Sequence, residues 1–210
     1  MKRLYLASSI DVSAKSITKD IGGDPSKMKL AFINTAAEGE NGSKEWMDSD
    51  KKGLVDSGFD LFDYTITGKS TSDINRDLGG CEIIHINGGN TFYLLDQMKK
   101  TGFDKWVKEK IDNGVIYMGS SAGIIVSGAN VEYAKSLDDS KKAPNLKDFS
   151  GLNLIDLNFL VHWGSHFNPE ERKKIVIDFY KEDLKLVVLN NYQYIKVVDD
   201  IYKIVDAREQ

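Results

Sequence analysis

Short apolar runs rich in β-branched and aromatic residues alternate, through the first half of this chain, with longer segments of helical periodicity. "RLYLAS" (3–8), "KLAFINT" (29–35), "FDLFDYTI" (59–66), "EIIHI" (82–86) and "VIYMG" (115–119) read as strands. Segments 43–57, 72–78, 90–101 and 104–113 read as helices, each opening near a Ser, Thr, Asp or Asn that can cap it. Alternation of this kind requires parallel strand pairing with helices on both faces, and the right-handed doubly wound sheet is its default topology. The second half is less regular. A polar stretch, 127–151, reads as a long loop; "LNLIDLNFLVHWG" holds a strand or two; Pro169 leads an amphipathic helix; "LKLVVLN" is a strand. The end, "YQYIKVVDDIYKIVDA", reads as a hairpin turning at Asp199-Asp200. No linker or repeat divides the 210 residues, so residues 1–210 are expected to form one domain.

Composition narrows the function classes. A net charge of −4 without a basic cluster argues against an electrostatically driven nucleic-acid binder. A single cysteine, Cys81, excludes an internal disulfide and a thiolate metal cluster and fits a reducing, cytoplasmic setting. No apolar run approaches membrane-spanning length, and the N-terminal stretch turns polar too soon for a signal peptide.

Candidate chemistry gathers where strands meet helices. In "GSSAG" (119–123) a strand ends, a helix begins, and Ser121 is the central residue of Gly-x-Ser-x-Gly. Such a bend lifts a serine above the strand's carboxyl end, and its flanking glycines are needed because side chains there would clash. The Ala122 N–H can face an oxyanion. A second glycine pair, Gly88-Gly89 in "HINGGNTF", sits at another strand–helix junction, and neighbouring junctions of a parallel sheet open at one edge. Its amides could complete the oxyanion site, while Asn90 caps the helix that follows. A phosphate-binding loop is the competing reading, but neither loop carries the lysine a P-loop needs.

A serine nucleophile needs a base and the base an orienting group. His85 lies inside a strand and reads as a core or sheet-face residue. His162 and His166, in "LVHWGSHFNP", follow a strand end, where the chemistry should be. The loop "SLDDSKK" offers Asp138 and Asp139 as carboxylates.

Taken together, "GGNTF" after a strand, "SAG" at the elbow, the "LDDSKKAPNL" loop and "GLNLIDLNFLVHW" resemble the S51 serine peptidases, the family of the α-aspartyl dipeptidases and cyanophycinases. The resemblance implies a flavodoxin-like three-layer α/β sandwich with a mainly parallel sheet, similar to class I glutamine amidotransferase domains. It implies a Ser-His-acid hydrolase of small peptides that needs no metal or organic cofactor. The matching positions are Ser121, His162 with His166 as alternate, and Asp138 with Asp139 as competitor. An amidotransferase proper would need a cysteine at the elbow, and Cys81 precedes a different strand. The family's dipeptidases use an arginine beyond the histidine to hold an N-terminal aspartate. Arg172 lies in a similar region, at a shorter spacing that suits an exposed helix arginine, so it and Asn90 are the candidate substrate-binding residues. Two departures stand out: Asn87 replaces a first glycine before Gly88-Gly89, and "LVHW" lacks a proline before the histidine. A non-catalytic ligand-binding domain on the same sheet is the alternative from another class.

Overall fold

The computed structural model describes residues 1–165, 168–182 and 184–209. In chain order its elements are β1 (Arg3–Ala7), α1 (Ile10–Ile21), β2 (Leu30–Ile33), α2 (Thr35–Glu38), α3 (Glu45–Asp56), β3 (Leu61–Tyr64), α4 (Thr71–Leu78) and β4 (Ile83–Ile86). There follow α5 (Thr91–Thr101), α6 (Phe103–Asp112), β5 (Ile116–Ser120) and α7 (Ala122–Ser127). The last part holds β6 (Asn158–Leu160), α8 (Pro169–Lys181), β7 (Leu186–Val188), β8 (Gln193–Val198) and β9 (Ile201–Asp206).

Seven strands form one mixed, mainly parallel sheet in the order β3-β2-β4-β5-β1-β8-β9. The first five run parallel, and the β8–β9 hairpin adds antiparallel to β1, turning at Asp199-Asp200 as the sequence pattern anticipates. Both faces of β1, β2, β4 and β5 are buried, which explains their near-continuous apolar sequences, while the edge strand β3 is half-exposed. Leu4, Leu6, Ala31, Ile33, Ile84, Ile86 and Tyr117 enter one core with α4, α5, α6 and α7. The alternate residues Tyr5, Ala7, Leu30, Phe32, Ile83, Ile116 and Met118 enter a second core with α1 and α3. Period-two alternation thus divides each strand between two helical layers.

Two features depart from the sequence reading. Helix α1 was not expected. Its buried stripe Ile10, Ala14 and Ile17 follows helical spacing, but Ser13 and Ser16 share that face and dilute the apolar signal. The polar stretch 127–151 is not simply solvated: Val131, Ala134 and Ala143 are buried in the first core. Two short 3-10 turns, Glu132–Ser136 and Ser140–Lys142, fold it against the start of α5. The strands expected after it are β6 and β7, which pair parallel in a separate two-stranded sheet, Leu160 opposite Val188. Among the described residues, no helix is long and apolar enough to cross a membrane.

Candidate active site

The parallel register decides which residues meet. Ala7 lies opposite Ser120, and Ile86 opposite Gly119, so the chain leaves β1, β4 and β5 side by side at one sheet edge. Ser8-Ser9, Gly88-Gly89 and Ser120-Ser121 therefore converge. Ser121 takes φ 51° and ψ −110°, a backbone conformation that non-glycine residues rarely adopt and that persists only when the surroundings enforce it. Gly123 supplies part of that enforcement: a Cβ there would lie 2.0 Å from the Ile86 carbonyl oxygen. A Cβ on Gly119 would meet the Gly123 carbonyl at 2.7 Å. The bend is possible only with both glycines.

The two serines of the elbow part company. Ser120 Oγ turns inward and donates to Asn87 Oδ1 at 2.9 Å, within a buried network that also includes His85 Nε2 at 3.3 Å. Asn87, the residue in place of a glycine, is thus the acceptor at the centre of that network. His85 is a core residue stacked on Phe32, and burial holds its pKa down to about 4. Ser121 Oγ instead faces the cavity and lies 3.0 Å from His162 Nε2.

His162 follows β6, and its own backbone has φ 58°. The Ser8 hydroxyl accepts from its N–H at 2.8 Å, tying this left-handed residue to the end of β1. Its Nδ1 lies 2.7 Å from Asn191 Oδ1. An amide oxygen only accepts, so Nδ1 carries the proton and the Nε2 lone pair faces the Ser121 hydroxyl. Burial pushes the His162 pKa below its ordinary value, only partly offset by the bond to Asn191. The imidazole is neutral at pH 7 and able to accept a proton.

Asn191 was not among the expected site residues. It follows β7 as His162 follows β6, and the Trp163 N–H to Leu189 carbonyl bond (2.9 Å) extends the pairing beyond the strand ends. The Asn190 side chain accepts from Tyr192 N and its carbonyl from Gln193 N, which closes the turn that presents Asn191. The available signal was the polar pair Asn190-Asn191 at the end of the expected strand "LKLVVLN".

Asp138, the expected partner of His162, is drawn elsewhere. Its Oδ2 accepts from Thr91 N at 3.0 Å, at the N-terminus of α5, where a carboxylate is favoured. It reaches His162 and Arg172 only through space. Asp139 caps the next turn through Lys141 N, and its carbonyl accepts from Asn90 Nδ2 at 3.2 Å. Asn90 itself caps α5 through Phe92 N and Tyr93 N and is buried, which leaves none of its side chain on the cavity wall. Arg172 is 6% exposed, against the expectation of a solvated helix residue, and donates to the Val161 carbonyl at 3.1 Å. That bond reaches the backbone just after β6, and Arg172 is not among the described residues lining the cavity. His166 lies outside the described residues.

Gly88 and Gly89 sit where the sequence suggests. A Cβ on Gly88 would come within 3.0 Å of the Ser121 Cβ, so glycine lets this backbone approach the serine. Gly89 has φ 127°, and a Cβ there would strike Ala36 backbone at 2.4 Å. Neither amide makes a hydrogen bond among the described residues. Both glycines border a cavity of about 400 Å³ lined by Ser121, His162, Asn191, Trp46, Asp50 and Glu40, among others, while Ala122, buried at the start of α7, directly follows Ser121. Such an arrangement can transfer a hydroxyl proton to imidazole and stabilise an oxyanion beside it.

Comparison with known proteins identifies the family. The chain is 32% identical to an uncharacterized peptidase of Pasteurella multocida over 94% of both chains. It is 33% identical to an uncharacterized peptidase of Listeria innocua over 95% of this chain and 94% of the relative. A 1.5 Å crystal structure from Listeria monocytogenes, provisionally named a peptidase E protein, superposes with a TM-score of 0.90 at 30% identity and 98% coverage of each chain. The sequence profile described as peptidase family S51 matches residues 7–205. The chain belongs to peptidase family S51.

Proposed function

We propose that this protein is a serine-type peptidase that hydrolyses small peptides through an acyl-enzyme, on a flavodoxin-like sandwich of the class I glutamine amidotransferase type. One observation carries the reading: a serine held at φ 51° with its Oγ 3.0 Å from the unprotonated nitrogen of a neutral histidine.

Ser121 Oγ attacks the scissile carbonyl carbon while its proton passes to His162 Nε2. Asn191 Oδ1 holds the ring in the tautomer that makes this transfer possible; an asparagine serves the same orienting purpose in other hydrolases. The carbonyl oxygen becomes an oxyanion facing the amides of Gly88, Gly89 and Ala122. His162 then gives its proton to the departing amine, the C–N bond breaks, and the acyl group stays on Ser121. Water, deprotonated by the same nitrogen, attacks the ester and releases the acid. Asp138, seated against the N-terminus of α5, supports the site through space rather than by contact with His162. Preference for an N-terminal aspartate has no cationic anchor, because the described cavity lining contains no lysine or arginine.

The test is a dipeptide panel with amine release as readout. Wild type is expected to hydrolyse part of the panel, and Ser121→Ala to lose that turnover while melting at an unchanged or higher temperature. Full turnover by Ser121→Ala on every cleaved peptide would refute the assignment.

A further inference from the structure

The charge of the cavity wall is as informative as its nucleophile. Helix α3 passes over the glycine turn and sends two side chains, one turn apart, into the cavity: Trp46 and Asp50. Trp46 lies 3.6 Å from the Cβ position of Gly88, beside Ser121. Asp50 stands deeper and is only 8% exposed. No lysine, arginine or histidine pairs with it among the described residues. Its charged neighbour is another carboxylate, Asp11 at the start of α1. The Asn87 amide and the Asp11 backbone lie near enough to Asp50 to favour its ionised form, although Asn87 Nδ2 closes no hydrogen bond of full geometry. Burial and the Asp11 charge together push the Asp50 pKa up to about 7. The second carboxylate of the wall, Glu40, is also raised, by burial and then by Asp138.

A buried carboxylate without a counter-ion is costly, and a protein normally removes it, pairs it or uses it. Among the described residues, Asp50 lines the cavity next to the serine with no cation acting on it, whereas Glu40, the other acid of the wall, has Lys44 and Lys142 near it without a close ion pair. The missing partner is complementary to the ligand. This argument rests on the peptidase reading above. We infer that Asp50 binds a positively charged group, a primary ammonium, on the residue whose carbonyl Ser121 attacks, so that the enzyme favours cationic acyl residues and rejects acidic ones. The ammonium can belong to a basic side chain or to a free α-amine; both supply three N–H donors and one charge. Trp46 covers the apolar stem between that charge and the scissile bond. An aspartyl side chain in the same place would face Asp50 and Glu40 and be repelled.

Binding to Ser121→Ala protein, which turns nothing over, separates this inference from the catalytic one. Calorimetric titrations would compare Lys-Ala, norleucyl-Ala and Asp-Ala, each with its α-amine free or acetylated. The expected order places at least one ammonium-bearing form about tenfold or more above its uncharged counterpart, as a charge-assisted hydrogen bond warrants, with acetyl-Asp-Ala weakest. Loss on acetylation identifies the α-amine; loss from Lys to norleucine identifies the side chain. Adding Asp50→Asn, nearly the same shape, is expected to erase that margin, and Glu40→Gln to reduce it less. Equal binding of charged and uncharged forms, tighter binding of the aspartyl peptides, or an intact margin in Asp50→Asn would overturn the inference. Should Ser121→Ala retain turnover, the peptidase assignment fails, while the binding order still decides the role of Asp50.

Discussion

Replacing Asn191 separates an orienting amide from an orienting carboxylate. Asn191→Ala removes the acceptor 2.7 Å from His162 Nδ1 and leaves a buried N–H without a partner. Leaving such a group unpaired costs about 1–3 kcal/mol, and the ring is then free to adopt the tautomer that protonates Nε2. If the whole cost falls on the transition state, kcat/KM drops roughly 5- to 150-fold, at about 1.4 kcal/mol per tenfold. The pH profile supplies a sign. A general base works when neutral, so activity rises as pH passes upward through the His162 pKa. The bond to Asn191 raises that pKa, so Asn191→Ala moves the acidic limb to lower pH even as the plateau falls. Asn191→Asp sets a negative charge against the imidazolium and moves the limb to higher pH. Asp138 acts on His162 through space, so Asp138→Asn should shift the limb only slightly and cost less activity than Asn191→Ala. The assay is kcat/KM from pH 4.5 to 9 on a cleaved dipeptide. The reasoning fails if Asn191→Ala keeps both the plateau and the limb of wild type, or if Asp138→Asn is the more damaging change.

Other expectations concern the frame around the site. His85 is neutral and buried, with a folded pKa of about 4 against 6.5 for a free imidazole. The unfolded chain takes up that proton first, so stability present above pH 6.5 is lost as pH falls towards 4, about 3 kcal/mol at ~1.36 kcal/mol per pH unit. Urea midpoints of His85→Leu should fall less steeply than those of wild type between pH 6.5 and 4; parallel curves would contradict this. Gly123→Ala forces a Cβ to within 2.0 Å of the Ile86 carbonyl and should cost more than about 3 kcal/mol or prevent folding. A soluble variant with a wild-type melting temperature would show that the elbow can relax.

The parts of the site that depend on local rules were legible in the sequence. The elbow could be read because a strained serine needs small neighbours at fixed positions, and Gly119 and Gly123 are those neighbours. The Gly88-Gly89 turn could be read because strand–helix junctions of a parallel sheet share an edge. The orienting partner of His162 could not be read in this way. A carboxylate was sought because imidazolium favours one, and Asp138 was available, but the unsatisfied amide at the start of α5 also attracts a carboxylate. Asn191 carries no such mark in sequence; only the pairing of β6 with β7 brings it to the histidine. Helix α1 was missed for a similar reason, since its buried serines pay for their place with hydrogen bonds that composition does not reveal, Ser13 to the Ser9 carbonyl and Ser16 to the Tyr194 hydroxyl. Arg172 looked solvated because a helix arginine usually is, and its burial follows from packing beneath β6.

The central claim is that Ser121 is a nucleophile activated by His162. Its most direct test is labelling with a fluorophosphonate, followed by mass spectrometry of the intact protein and of its peptides. The account predicts one adduct per chain on Ser121, no adduct in Ser121→Ala, and strongly slowed labelling in His162→Ala. An unlabelled wild type, an adduct on another residue, or labelling as fast without His162 would contradict it.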